Sequence, residues 1–269
     1  MTTIDGSEAL SGQVRPDGWK AMNDFAAGID TNRLPQTAEL AGRQISFTDA
    51  EGSIALRFES ADSVRWSSAG EPARTAWYEA VRIRPDVYFL TLSAPDEPLA
   101  ADVVALHMGL GRTLRIRSRI ADAATPGRPR VDQRFLPGTI DGAAPDGIEA
   151  APTRDLIGSR ALYRYSPNHL YEHVYLSSER YAWQCLVGEQ RGHGDVDLAS
   201  TWKLADDLYV FTFREFIIPV AATWLYDLAA ARTTGTFLGL GSDGSVQLSP
   251  GGGEIIQLGR VSYPDAQPV

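Results

Sequence analysis

Apolar residues recur along this chain with two different periods. Near its start Trp19, Met22, Phe25, Ala26 and Ile29 follow Asp17 at helical spacing, until Gly28 and then Leu34-Pro35 weaken and end the pattern. A short amphipathic helix is expected there, inside an N-terminal extension over 1–33. It either packs on the strands C-terminal to it or plugs the mouth of a barrel. From Leu40 the period falls to two. Ile45–Phe47, Ser53–Phe58, Ser63–Ser67, Tyr78–Ile83, Val87–Leu92, Val103–Met108 and Thr113–Ile120 are short apolar-rich runs separated by turn residues. Many short strands at regular spacing predict an all-β sandwich or meander barrel over 34–120. Pro126, Pro129, Pro137, Pro145 and Pro152 then mark 121–152 as a linker, within which Val131–Ile140 could lie along a sheet edge. A second strand-rich unit occupies 153–269.

The second unit repeats the first. Leu40-Ala-Gly42 matches Leu156-Ile-Gly158, and Val64-Arg-Trp66 matches Tyr181-Ala-Trp183. Asp86–Leu92 matches Asp207–Phe213, Pro98–Ala101 matches Pro219–Ala222, and Arg112-Thr113 matches Arg232-Thr233. Five collinear matches, offset by 116 to 121 residues, indicate a duplicated domain, and two copies are too few for a solenoid. Each copy suits a small antiparallel barrel, whose closure removes exposed strand edges.

Composition narrows the function classes. Of 269 residues 43% are hydrophobic, enough for a packed core, and a net charge of −9 opposes nucleic acid and anionic membranes. No apolar run is long enough to span a bilayer, and Met1–Glu8 lacks the basic-then-apolar form of a secretion signal. The lone Cys185 permits neither an internal disulfide nor a multi-cysteine zinc site, so a cytoplasmic location is the default and Cys185 itself reads as a small buried hydrophobe. Eight of the ten tyrosines come after residue 150, which makes the second copy the place to look for chemistry.

Strand alternation puts His169, Tyr171, His173 and Tyr175 on one face, with Leu170, Glu172, Val174 and Leu176 on the other. Turning the first set inward gives a polar aromatic cavity beside Tyr163 and Tyr165. Turning the second inward buries Glu172 alone, so the first is preferred. A histidine there could titrate near neutral pH and serve general acid/base work. After Trp183, the turn holding Arg191, His193, Asp195 and Asp197 is either a rim that grips a polar ligand or a solvated turn. His169 and His173 stand about 13 Å apart on an extended strand, so no metal site is expected. Tyr209, Phe211, Phe213 and Glu215 share a face. If it is inward, burial raises the Glu215 pKa; if the opposite face is inward, Arg214 can hold a substrate carboxylate. Tyr226 and Asp227 pose the same choice. In the first copy Arg115, Arg117 and Arg119 alternate, a pattern read as cover for an exposed sheet face.

Asp155-Leu-Ile-Gly158, Tyr163–His173, Tyr181–Leu186, Gln190–Asp197 and Leu208–Glu215 resemble the MoaF family, named for molybdenum cofactor biosynthesis protein F. The resemblance covers most of 15–262 and implies two tandem lipocalin-like (calycin-type) antiparallel β-barrels after the short helix. It supplies no recognisable pterin, nucleotide or molybdenum site. That barrel type is also similar to phenolic acid decarboxylases, which use Tyr, Arg and Glu inside a barrel. The reading expected is a cofactor-independent lyase, isomerase or cyclase acting on a small aromatic or partly apolar molecule. His169 or His173 with Glu215 would move protons, and Tyr171 would orient or donate. Tyr163, Tyr165, Tyr175, Trp183, Arg191, His193, Arg214 and Tyr226 would bind. The alternatives are a non-catalytic carrier or sensor, and an accessory factor of cofactor assembly acting through a partner. The first copy would be a scaffold or a homodimer surface.

Overall fold

A computed structural model describes residues 16–68, 70–94 and 96–269; the opening Met1–Glu8, considered as a leader, lies outside them. Eight strands form the first barrel: β1 (Gln44–Asp49), β2 (Gly52–Phe58), β3 (Ser63–Ser68), β4 (Arg74–Arg84), β5 (Val87–Ser93), β6 (Ala100–His107), β7 (Arg112–Ile120) and β8 (Val131–Ile140). Each pairs antiparallel with its neighbour, and β8 returns to β1 through Phe47 opposite Ile140. Val131–Ile140, expected within the linker, is therefore the closing stave of this barrel. Pro137 disguised it as a break.

The second barrel repeats the plan with β10 (Ser159–Ser166), β11 (His169–Tyr175), β12 (Arg180–Val187), β13 (Gly194–Ala205), β14 (Leu208–Arg214), β15 (Val220–Asp227), β16 (Arg232–Leu240) and β17 (Val246–Arg260). Here β17 pairs with β10 to close the ring, and the short β9 (Ala151–Pro152) lies along β13. The duplication extends to side-chain anchors. Tyr88 donates to Glu39 at 2.9 Å and Arg82 pairs with the same carboxylate. In the second copy Tyr209 donates to Asp155 at 3.0 Å, and Lys203 pairs with it. Both acids directly precede the Leu-x-Gly step found in the sequence.

The barrels lean on each other through matching outer faces. Val87, Phe89, Ala105, Leu114 and Ile116 meet Leu204, Leu208, Val210 and Leu225 in one apolar layer. Phe135 stacks on Trp202 with ring centres 5.3 Å apart, and Arg84 forks onto Asp227 with both contacts at 2.8 Å. Asp227 therefore belongs to the seam, and Tyr226 faces inward.

The arginine stripe lies on the inner side, not on a solvated sheet as expected. Arg115 sits inside the first barrel, 2% exposed, with Asp49 at 2.8 Å, Asp102 at 3.0 Å and Glu51 also in contact. Arg117 joins it on Asp102, while Arg119 reaches Asp122 near the surface. Removing a guanidinium from water is costly, and carboxylates from three separate segments make this placement tolerable.

The N-terminal segment passes over its neighbour in sequence and enters the second barrel. Its helix α1 (Met22–Phe25) is a single turn, shorter than the periodicity suggested. Trp19, Met22, Phe25 and Ile29 all join the second barrel's core. Burying apolar side chains of this size stabilises by about 1.5–3 kcal/mol each, which is what keeps so short a segment seated. Gly28, at φ +83°, provides the left-handed turn between Phe25 and Ile29. Arg33 then grips Glu79 of the first barrel at 2.7 and 2.9 Å and carries the chain away. Of the two readings of this segment, the plug is the one observed.

Candidate functional site

Alternation along the strands of the second barrel builds the site. Strand β11 turns His169, Tyr171, His173 and Tyr175 inward, the preferred reading, while Glu172 lies outside between Arg160 and Gln184. Strand β14 turns Phe211 and Phe213 inward with Glu215 just beyond its end, and β15 contributes Trp224 and Tyr226. Two glycines make room for the indole. A Cβ on Gly235 would lie 2.3 Å from Trp224, and one on Gly251 would lie 2.8 Å from it. Trp224 therefore lies flat against the wall.

What remains open is a cavity with about 30 Å³ free for a water-sized occupant, enough for roughly two waters at about 10–15 Å³ each. Tyr165, Tyr171, His173, Trp183 and Glu215 of the expected set line it, together with Tyr181, Gln190, Phe213, Trp224 and Phe237. Phe25 and Ile29 of the N-terminal segment complete the lining. Several polar atoms of these side chains are buried with no partner: Glu215 Oε2, His173 Nδ1, Gln190 Nε2 and Trp224 Nε1. Buried polar groups are normally paired, so four unpaired ones around one cavity mark it as unusual.

The other expected site residues lie elsewhere. Tyr163, Tyr175 and Tyr226 face inward but bond to one another in a closed hydroxyl chain, with Tyr175 donating to Tyr226 at 3.1 Å. That chain lies away from the N-terminal segment, and none of the three lines the cavity. His169 is engaged with Ser166 at 2.7 Å, at the mouth next to Gly28. Arg191 is exposed in its turn, and His193 stacks on Trp19 at 5.0 Å with rings 3° from parallel. Arg214 points out to the seam, where it meets Gln133 and Ser200 at 3.3 Å. Neither arginine lines the cavity: Arg191 stands in solvent at the rim and Arg214 on the far side of the wall.

Proton chemistry also shifts. Burial drives the His173 imidazole down to about 3, and it lowers His169 as well. A histidine titrating near neutrality is therefore not what lines the cavity; the neutral imidazole of His173 is. The carboxyls change instead. Burial, then the charges of Asp197 and Asp195, hold the Glu215 pKa far above the carboxylate range. Asp197 is pushed up to about 7 by burial, against the opposing hydrogen bond from Trp183 Nε1 at 2.8 Å. Two interacting carboxyls that share a site part in affinity for the proton, which is the pattern of an acid/base pair. Tyr171 donates to Gln190 Oε1 at 3.0 Å, fixing the amide so that its NH₂ is left for a guest.

Some of this was findable by parity. Tyr181, Phe213 and Trp224 alternate with outward residues just as Tyr171 does, and Asp197 was seen only as rim. Gln190 sits in a loop and gave no signal. Among the described residues no group of three or more His, Cys, Asp or Glu side chains is gathered for a metal ion. None of the lining residues is a lysine or arginine.

Family models agree with the two-barrel division. The MoaF N-terminal domain matches residues 17–122 and the MoaF C-terminal domain matches 150–261. Protein MoaF of Klebsiella aerogenes is 34% identical over 200 residues, covering 70% of this chain and 74% of that protein. A solved structure, a putative beta-lactamase from Burkholderia vietnamiensis, aligns at 14% identity and a TM-score of 0.34 over 38% of this chain and 95% of its own.

Proposed function

The chain belongs to the MoaF family, and from that premise we propose that its second barrel is a reaction chamber for a small, partly aromatic organic molecule, with Glu215 as the group that gives or takes the proton. The observation that carries this is the Glu215 carboxyl, 5% exposed with Oε2 unpaired, on the wall of an aromatic cavity. A carboxyl whose pKa is raised by burial can give a proton to, or take one from, a bound molecule as charge develops on it. Asp197 raises the proton affinity of Glu215 through its charge, and is itself held by Trp183 and the Phe216 amide. Neutral His173 and the fixed Gln190 amide orient the guest. The chemistry suited to this set is a lyase, isomerase or cyclase step driven by proton transfer. No lining cation is present to hold a phosphate, so a phosphorylated guest is disfavoured.

The test uses wild type and Glu215→Gln incubated with a metabolite extract, with mass spectrometry of solution and protein as the readout. Wild type should consume a compound that the variant retains bound, with turnover reduced by about 10²–10⁴, the usual contribution of a general acid. Retention by both proteins without consumption would make the protein a carrier. Retention by neither, with a partner protein co-purifying, would favour an accessory role.

A further inference from the structure

The charges acting on the carboxyls at the cavity are acidic except for Arg180, which lies over the Phe216 ring and acts on Asp197. Glu215, Asp197 and Asp195 are the ionisable acids that act on one another there, with Tyr181 also within their field. Facing them from β11 are Tyr171 and the neutral His173. Lys20, on the N-terminal segment, is committed to exposed Glu189 at the rim. The walls add to the bias, because aromatic faces carry negative potential: Tyr165, Trp183, Phe213, Trp224 and Phe237 surround the opening. A carboxyl enclosed by aromatic faces, with an unpaired buried oxygen and no guanidinium to answer it, is the recognition pattern for a positive ion.

Resting on the chamber reading, we infer that the guest is an organic cation, an ammonium head on a small aromatic or apolar body, with the head against Glu215. The free space near Glu215 admits a group the size of one or two waters, which suits an ammonium head and leaves no room for the body. The body must take ground that Phe25 and Ile29 cover, so the N-terminal segment yields on binding, with Gly28 as its turning point. Glu215 faces the ammonium as a carboxylate; any proton it carries beforehand leaves to solvent, the ammonium stays protonated, and charge is conserved. Contact with the ring faces contributes a factor of about 2 to 30 in affinity beyond the ion pair.

The full-length protein is titrated at neutral pH with benzylammonium, benzyl alcohol and benzoate, read by calorimetry in two buffers of different ionisation enthalpy and by tryptophan fluorescence. Benzylammonium should bind about tenfold or more tighter than benzyl alcohol, with benzoate weakest, as expected for a desolvated charge pair. Its binding should release protons to the buffer and not take them up. In Glu215→Gln the preference for the cation should vanish, while benzyl alcohol affinity changes by less than about threefold. Equal or better binding of the alcohol or benzoate overturns the inference and leaves the chamber standing, as does a cation preference that survives the substitution. Silence from all three probes overturns both readings. Should the variant fail to fold, the order of the three probes on wild type decides alone, and a cation bound no tighter than the alcohol sinks the inference.

Discussion

At equivalent positions the two barrels carry opposite interiors. The inward residues of β2 are Ile54, Leu56 and Phe58; strand for strand, β11 has Tyr171, His173 and Tyr175. Val64, Leu90 and Leu92 become Tyr181, Phe211 and Phe213, and Leu106 becomes Tyr226. Trp66 and Trp183 keep their identity at the β3 and β12 positions, as do Tyr88 and Tyr209 on β5 and β14. The sharpest contrast crosses three strands. Val104, Arg115 and Leu136 lie side by side in the first barrel, and Trp224, Gly235 and Gly251 occupy the same register in the second. One barrel fills that space with a guanidinium held by carboxylates, the other with an indole over bare backbone. Both are filled, so the fold tolerates either. Only the aromatic solution leaves polar atoms unpaired beside a cavity, and the division of labour comes from that.

The comparison can be broken most severely at Arg115. Arg115→Met leaves Asp49 and Asp102 facing an apolar group in a closed interior, and should cost about 3–5 kcal/mol in urea unfolding. A loss near zero would mean the first barrel does not depend on its ion cluster. In the second barrel the corresponding lever is pH. Glu215 has a folded-state pKa raised above its unfolded value, so its contribution is complete at low pH and is lost as pH rises from the carboxylate range towards the folded value. Glu215→Gln should therefore equal wild type in stability near pH 4 and exceed it at pH 8, the gap widening by up to about 1.4 kcal/mol per pH unit. His173 opposes this slope: its pKa is lowered, so its contribution is intact at alkaline pH and lost as pH falls from its usual range towards about 3. Unfolding curves at several pH values, run for both proteins, separate the two groups. The smallest change is Tyr175→Phe, which writes the first barrel's Phe58 into the second. It removes one hydroxyl from the tyrosine chain and should cost about 1 kcal/mol, since Tyr163 and Tyr226 lose a shared partner.

Alternation made much of this readable. The pattern from His169 to Tyr175 assigned each side chain to its face, and the collinear repeat delivered two barrels of one plan. What alternation cannot say is which face is inside. Arg214 and Glu215 are adjacent, and only ring closure sends one to the seam and the other to the cavity. The same gap misplaced Arg115, because the carboxylates that make its burial tolerable come from β1, the turn after it, and β6, far away in sequence. His173 was expected to titrate near neutrality since depth of burial is set by the whole ring and by the segment seated on it. Helical spacing showed that Trp19 to Ile29 has an apolar face, but not that the face would pass by the adjacent barrel.

That seating has a consequence for how the molecule is made. Residues Trp19 to Ile29 leave the ribosome before β1, yet the ring they enter is completed only by β17. At about 5–20 residues per second, that delay amounts to some tens of seconds. The first barrel can fold within it, so the growing chain presents a finished domain trailing an oily, unsheltered leader. The aromatic strands of β10 to β14 emerge meanwhile without their final neighbour. The second barrel is thus the later and more vulnerable product, and a nascent-chain chaperone would find its binding sites between Trp19 and Ile29.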